Sequence, residues 1–287
     1  MRSTHHIHLP RVTLEVGRKT LLMGIINVTP DSFYPDSRSQ SLEQAVSQAE
    51  RFVREGADLL DVGGESTRPG SRPVTPEQEA ARVVPVIAAL SAAFTVPVSI
   101  DTYKAEVARR GLDAGAQIVN DISGLKFDSR MAGTVSRYRA GLVLSHIRGT
   151  PADMHQLPPA GDILGDVLSD LRNAVEQALF AGIRREQIIL DPGIGFGKHA
   201  GENIRLLHRL EALGDFGLPV LVGVSRKAFI GSILGQESPE ERLIGTVAAV
   251  VCSVLKGAHI VRVHDVAAMR QAVAVADAVE NGTLSAD

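Results

Sequence analysis

Polar residues able to bind or transfer a group recur at one kind of place in this chain, just after short runs of Leu, Ile and Val. Asn27 ends the first run, and a second leads into Gly63-Gly-Glu-Ser-Thr-Arg-Pro-Gly70. Asp101 closes the third, Asn120 and Asp121 the fourth. His146 and Arg148 follow the fifth, and Asp191 opens Pro192-Gly-Ile-Gly-Phe-Gly-Lys198 after the sixth. Ser225-Arg226-Lys227 follows the seventh, and Arg262 and His264 leave the eighth. Any one of these could cap a helix or make a turn. Eight together at one end of a fold point to an enzyme site.

Their chemistry restricts the ligand. A carboxylate can accept two parallel hydrogen bonds from the N–H and NH₂ groups of a planar ring, and an Asn serves a mixed edge. Asp101, Asn120 and Asp191 therefore suit a flat, nitrogen-rich heterocycle such as a pterin or guanine. The plainer alternative is that Asp101 caps the following helix and Asp191 begins an Asp-Pro-Gly turn. Arg68, Arg262 and His264, with the amides of the second loop, suit phosphate or pyrophosphate. Asn27, Thr67 and Asp31 offer hard oxygens, which fit Mg²⁺ better than zinc. The 193–198 run lacks the Gly-Lys-Ser/Thr ending of a phosphate loop and is read as a wall that lets backbone approach a ligand. Lys198 and Lys227 are candidates for a Schiff base, with Arg226 beside Lys227 lowering its pKa.

Elements that place these residues follow from the repeat of strand, loop and helix. Strands are expected at Leu22–Asn27, Leu59–Gly63, Val98–Asp101, Gln117–Asn120, Gly141–Ser145, Ile188–Asp191, Val220–Val224 and His259–Val263. Helices are expected at Leu42–Glu55, Pro76–Ala93, Lys104–Ala114, Ser129–Arg139, Ile163–Ala181, Gly201–Leu213, Pro239–Leu255 and Ala267–Glu280. Eight such units in about 250 residues predict a closed parallel (β/α)₈ barrel, whose strand C-terminal ends form the active face. A doubly wound open sheet is the alternative, but GxGxxG is missing after the first strand. Arg11–Leu22, around Gly17-Arg18, predicts a hairpin before the barrel. No Pro/Ser-rich linker divides the chain, so residues 1–287 are read as a single domain.

Composition sets outer bounds. Thirty basic against 33 acidic residues give a net charge of −3 over 287 residues, which argues against a nucleic-acid-binding surface. The chain is 44% hydrophobic and 22% charged, as in ordinary globular proteins. Aromatic residues are 4% and Trp is absent, so the core is expected to be aliphatic, as suits a helix-covered parallel sheet. The single cysteine, Cys252, is expected as a small buried hydrophobe. Neither a signal peptide nor a membrane span is expected, which makes the cytoplasm the default. His5, His6 and His8 are read as part of a frayed terminus.

Taken in order, these segments resemble dihydropteroate synthases, a pterin-binding family built on the TIM barrel. The matching pieces are Met23-Gly-Ile-Ile-Asn-Val-Thr-Pro-Asp-Ser-Phe33, Asp61-Val-Gly-Gly-Glu-Ser-Thr-Arg-Pro-Gly70, Ser99-Ile-Asp-Thr102 with Lys104, Ile118-Val-Asn-Asp-Ile122, Asp191-Pro-Gly-Ile-Gly-Phe-Gly-Lys198, Gly223-Val-Ser-Arg-Lys227 and Arg262-Val-His-Asp265. The likeness spans about residues 21–280. It implies a transferase of folate biosynthesis that joins 6-hydroxymethyl-7,8-dihydropterin pyrophosphate to p-aminobenzoate, releases pyrophosphate, and is a sulfonamide target. It implies that Asp101, Asn120, Asp191 and Lys227 hold the pterin, with Phe196 and Ile147 as walls. Asn27 becomes the Mg²⁺ ligand, and Thr67, Arg68, Arg262 and His264 the pyrophosphate contacts. Phe33, Pro69 and Ser225 frame p-aminobenzoate. Asp101, Lys227, Arg262 and His264 become the catalytic groups, and a homodimer is implied, to which the apolar last two helices could contribute.

Tyr34-Pro-Asp-Ser-Arg38 and Ser145-His-Ile-Arg148 depart from the commonest family pattern without removing a catalytic group. A methyltetrahydrofolate:corrinoid methyltransferase would need the pterin groups but not the cationic cluster. A non-catalytic pterin-binding paralogue and a Schiff-base aldolase are the remaining rivals.

Overall fold

A computed structural model describes residues 2–28, 38–66 and 73–284. An antiparallel hairpin comes first, β1 (His5–His8) with β2 (Thr13–Val16). Eight strands then form one parallel sheet: β3 (Leu21–Asn27), β4 (Leu59–Gly63), β5 (Val98–Asp101), β6 (Ile118–Asp121), β7 (Gly141–Ser145), β8 (Ile188–Asp191), β9 (Leu221–Val222) and β10 (Ile260–Val263). Their spatial order is β8-β7-β6-β5-β4-β3-β10-β9, and a parallel bridge between Leu190 and Val220 joins the two ends into a barrel. Around it lie α1 (Arg38–Arg54), α2 (Pro76–Ala93), α3 (Ala105–Asp113), α4 (Met131–Tyr138), α5 (Ile163–Phe180), α6 (Ala200–His208), α7 (Ala228–Leu234), α8 (Leu243–Leu255) and α9 (Val266–Asn281). Helix starts follow local chemistry. At α2, Thr75 and Gln78 form a reciprocal capping box, with Pro76 in the first turn where its missing N–H costs nothing.

Side chains alternate across each strand, so every second residue faces the barrel axis. Leu21, Met23, Leu59, Ile118, Val143, Ile189, Leu221 and Ile260 form an apolar layer across the lower barrel, and Ile7, Leu9 and Val16 of the hairpin segment join that cluster from below. Two residues further along the strands the inward set turns polar: Asp61, Asp101, Asn120, Ser145, Asp191 and Arg262. A second, larger aliphatic cluster fills the space between the strands and the helices.

The structure moves several expected boundaries. The hairpin turns at residues 9–12, with Leu9 N–H donating to Val12 O (2.9 Å), not at Gly17-Arg18. His5 is no frayed residue. It lies in β1 and meets the His259 ring edge-on at 5.0 Å. The seventh strand is shorter than Val220–Val224, with only Leu221 and Val222 in ladder pairing. α7 was not expected, because seven residues containing Gly231 carry too little periodic pattern. The stretch expected at 201–213 ends in a 3₁₀ segment, Leu210–Phe216, that runs past it, and the one at 239–255 begins with a 3₁₀ turn, Pro239–Arg242. Cys252 is exposed, not buried. Val250, Ser253 and Val254 of α8 turn inward, which at 100° per residue points position 252 outward.

Candidate active site

Two carboxylates and one guanidinium occupy the centre of the mouth. Arg262, on β10, donates from Nε to Asp61 Oδ2 (2.6 Å) and from Nη2 to Asp101 Oδ2 (2.7 Å). Asn120, on β6, donates from Nδ2 to the same Asp61 oxygen (3.1 Å). Asp61 Oδ1 and Asn120 Oδ1 are buried with no protein partner. Unpaired buried acceptors cost about 1–3 kcal/mol each, so these two oxygens are able to take donors from a bound molecule. Asp101 is no helix cap, since the residue before α3 is Lys104. Burial and the neighbouring Asp61 push the Asp101 carboxyl above its ordinary pKa, against the pull of Arg262.

On the other side of the mouth, Asp191 Oδ1 accepts the Gly193 N–H (2.7 Å), so Asp191 does begin the Asp-Pro-Gly turn. Burial raises its pKa, opposed by that amide and by Lys227, Lys198 and Ser145. Lys227 Nζ lies 4.2 Å from the centre of the Phe196 ring, a cation–π contact. Burial first and Arg262 second bring Lys227 down to about 8. Arg226 is not the cause. It turns away to form a forked pair with Asp265 (2.9 and 2.6 Å). Lys198 is also no free nucleophile, because it donates to the carbonyls of His146 (3.1 Å), Gly193 (2.8 Å) and Phe196 (3.0 Å). Burial lowers it to about 7.

The eighth strand leads to His264. Ser225 Oγ accepts the His264 backbone N–H (3.2 Å) and lies 3.0 Å from Nδ1. With the hydroxyl donating to Nδ1, the ring proton sits on Nε2. Burial and the cations Arg262 and Arg226 lower His264 to about 4, so it is neutral at pH 7. Ile147 is buried beyond β7. Asn27 is exposed at the end of β3, beside Gly63 and Asp101 across the β4 tip. Asp31, Phe33, Thr67, Arg68 and Pro69 lie outside the described residues.

Three residues were named in the sequence without a specific role. Asp61 was quoted within a motif but given no role, although a carboxylate inside the apolar run Leu59–Val62 is itself a signal. His146 is buried, with Nδ1 unpaired and Nε2 3.3 Å from Asp170. Burial and Lys198, Lys126 and Arg148 push it down to about 2, so it is neutral. Lys104 bridges Glu65 and Glu79, and Tyr103 donates to Glu65 (2.7 Å), which fixes the chain where it leaves β4.

Comparison with known proteins then decides the family. The family model described as "pterin binding enzyme" matches residues 23–264. The dihydropteroate synthase of Synechocystis is 48% identical, covering 92% of this chain and 91% of its own. The chain belongs to the dihydropteroate synthase family. A Xanthomonas albilineans dihydropteroate synthase solved with 4-aminobenzoic acid superposes with a TM-score of 0.89 at 41% identity, over 97% of this chain and 99% of that one. A structure of the X. albilineans enzyme with 7,8-dihydropteroate gives 0.85 at 38% identity, over 96% and 98%. The family is one of transferases.

Proposed function

We propose that the unpaired acceptors around Arg262 belong to the pterin site of the family reaction, and that Arg262 itself faces the pyrophosphate. The protein is a transferase of folate biosynthesis, joining 6-hydroxymethyl-7,8-dihydropterin pyrophosphate to p-aminobenzoate. Asp191, Asn120 and Asp101 accept the ring N–H and amino groups, and Lys227 donates to the carbonyl side. Phe196 and Ile147 bound the ring faces. The observation that carries this placement is the pair of buried unpartnered oxygens, Asp61 Oδ1 and Asn120 Oδ1, beside a guanidinium with donors to spare.

Arg262 and His264 Nε2–H face the pyrophosphate, with Thr67 and Arg68 assigned to it from the motif. Ser225, Phe33 and Pro69 frame p-aminobenzoate or a sulfonamide mimic. Among the described residues Asn27 offers a lone neutral hard oxygen. That donor fits a Mg²⁺ that keeps most of its waters and takes its other ligands from phosphate. Bound there, Mg²⁺ would neutralise charge on the pyrophosphate.

In the reaction we infer, the bond between the exocyclic methylene and the pyrophosphate oxygen breaks, and its electron pair leaves with pyrophosphate. Arg262 and His264 stabilise that charge. The dihydropterin ring shares the positive charge on the methylene, and the carboxylates of Asp101 and Asp191 favour that cationic character. The aniline nitrogen then donates its lone pair to the carbon and loses a proton to water. No enzyme nucleophile takes part. Lys198, bound to three carbonyls, and the absence of any Schiff-base partner in the chemistry leave the aldolase reading without support.

A homodimer is part of the proposal. Ile233, Leu234, Ile244, Leu255, Val275 and Val279, on α7, α8 and α9, expose large apolar side chains. No described helix is long and apolar enough to cross a membrane, and we place the protein in the cytoplasm. Pyrophosphate release, measured with and without p-aminobenzoate, tests the function. Release dependent on p-aminobenzoate, with dihydropteroate formed, is the expected result. Pterin binding without release would identify a non-catalytic paralogue.

A further inference from the structure

The glycine-rich segment after β8 folds back onto the chain leaving β7. A Cβ on Gly193 would sit 1.8 Å from the His146 carbonyl oxygen, and one on Gly197 2.3 Å from that of Arg148. Both glycines also have positive φ, at +65° and +66°. Backbones this close bring carbonyl dipoles together. Three of them, from His146, Gly193 and Phe196, converge on the Lys198 ammonium at 2.8–3.1 Å. In its protonated form Lys198 meets three acceptors with three N–H donors, and each acceptor is a carbonyl, which can only accept, so the cage favours the ammonium that burial disfavours. The far side of the segment is held by Asn203, whose Oδ1 accepts the Gly195 N–H (2.7 Å) and whose Nδ2 donates to Lys198 O (3.1 Å) and His199 O (3.0 Å). Between these two anchors the chain carries Phe196, whose ring faces the Lys227 ammonium.

We propose that Lys198 is a positioning residue of the pterin pocket: its ammonium clamps the β8 loop to the exit of β7 and thereby holds Phe196, and through it Lys227, in place for the ring. Lys198 touches no ligand in this scheme. It acts through three backbone carbonyls, and so replaces the small cation that such a cage would otherwise attract. The inference rests on the pterin assignment above, and the test separates the two.

Binding of 6-hydroxymethyl-7,8-dihydropterin pyrophosphate is measured by titration calorimetry for wild type, Lys198→Ala and Asp191→Asn. The alanine variant empties the cage, and we expect its Kd to rise about tenfold or more. Ammonium chloride should recover part of that loss. Tetramethylammonium chloride at equal ionic strength should not, because it has no N–H. A merely structural lysine would show no such selectivity. Wild-type affinity in Lys198→Ala, or a loss that both salts relieve equally or neither relieves, overturns the proposal. If Asp191→Asn binds as tightly as wild type, the pterin assignment itself fails. If Lys198→Ala does not fold, Lys198→Met keeps the apolar stem without the donors. Weakened pterin binding in that variant supports the clamp, and unchanged binding overturns it.

Discussion

Both ends of the barrel bury an arginine against aspartate, and they do it differently. At the bottom, Arg2 donates to Thr20 Oγ1 (2.6 Å), Ala258 O (2.7 Å) and Asp277, while Asp277 also accepts the Thr20 N–H (2.8 Å) and hydroxyl (2.6 Å). Only Arg2 Nε lacks a partner in that network. At the mouth, Arg262 spans Asp61 and Asp101, yet acceptor oxygens beside it stay open. Burial of charge is therefore no mark of function in this protein. What sets the mouth apart is the pair of open acceptor oxygens beside its guanidinium. The bottom network ties the N-terminus to α9 and to the start of β3, and the mouth keeps its capacity for a ligand.

The sharpest way to break this contrast is to remove each arginine. Arg262→Ala deletes the donor we assign to the leaving group and strands the Asp61 and Asp101 carboxylates, and we expect turnover to fall about 10²- to 10³-fold in a pyrophosphate-release assay. A variant retaining most of its turnover would show that the mouth, like the bottom, is structural. Arg2→Ala leaves the Asp277 carboxylate buried without its counter-charge. It should cost about 3–5 kcal/mol in urea unfolding, while kcat/KM of the folded protein stays unchanged. Lost activity in a fully folded sample would erase the distinction from the other direction.

A pH profile sharpens it further. Lys227 is pushed down to about 8, so its ammonium is lost as pH rises through that value. Protonation is the binding form, so kcat/KM should decline above about pH 8, approaching tenfold per pH unit. Lys227→Arg should shift that limb to higher pH, because guanidinium does not titrate there. The smallest effect is expected outside both networks. Cys252→Ser, on the exposed side of α8, should change stability by less than about 0.5 kcal/mol by thermal unfolding and leave turnover unaltered.

Much of this architecture was legible before the structure. Strands such as Leu59–Gly63 and Ile188–Asp191 are bounded by loop residues that end pairing, and the polar strand ends announced the mouth. Less visible was anything that depends on a distant partner. His5 reads as a loose terminal residue until His259, more than 250 positions away, stacks on it. Arg226 looked like the electrostatic neighbour of Lys227 because it is adjacent in sequence. A positive φ of 58° and Asp265 turn it away. Asp61 was hidden by its position in mid-strand, where sequence patterns record an apolar core and not the one carboxylate that organises Arg262 and Asn120. Residues 29–37 and 67–72, which carry five of the expected contacts, lie outside the described part of the molecule.

The short β9 gives the ring one thin seam. Leu190 and Val220 form its single bridge, and β9 itself pairs over two residues with β10. Asp191 stands on one lip of that seam, and Lys227 belongs to the loop that leaves the other. Few ladder bonds hold the lips together, so the cheapest thermal opening of the barrel runs along this line. The width of the slot between the two side chains is then its softest coordinate. In the pterin site proposed above, compliance of this kind would let the same pair grip a neutral ring and follow it as its charge and shape change.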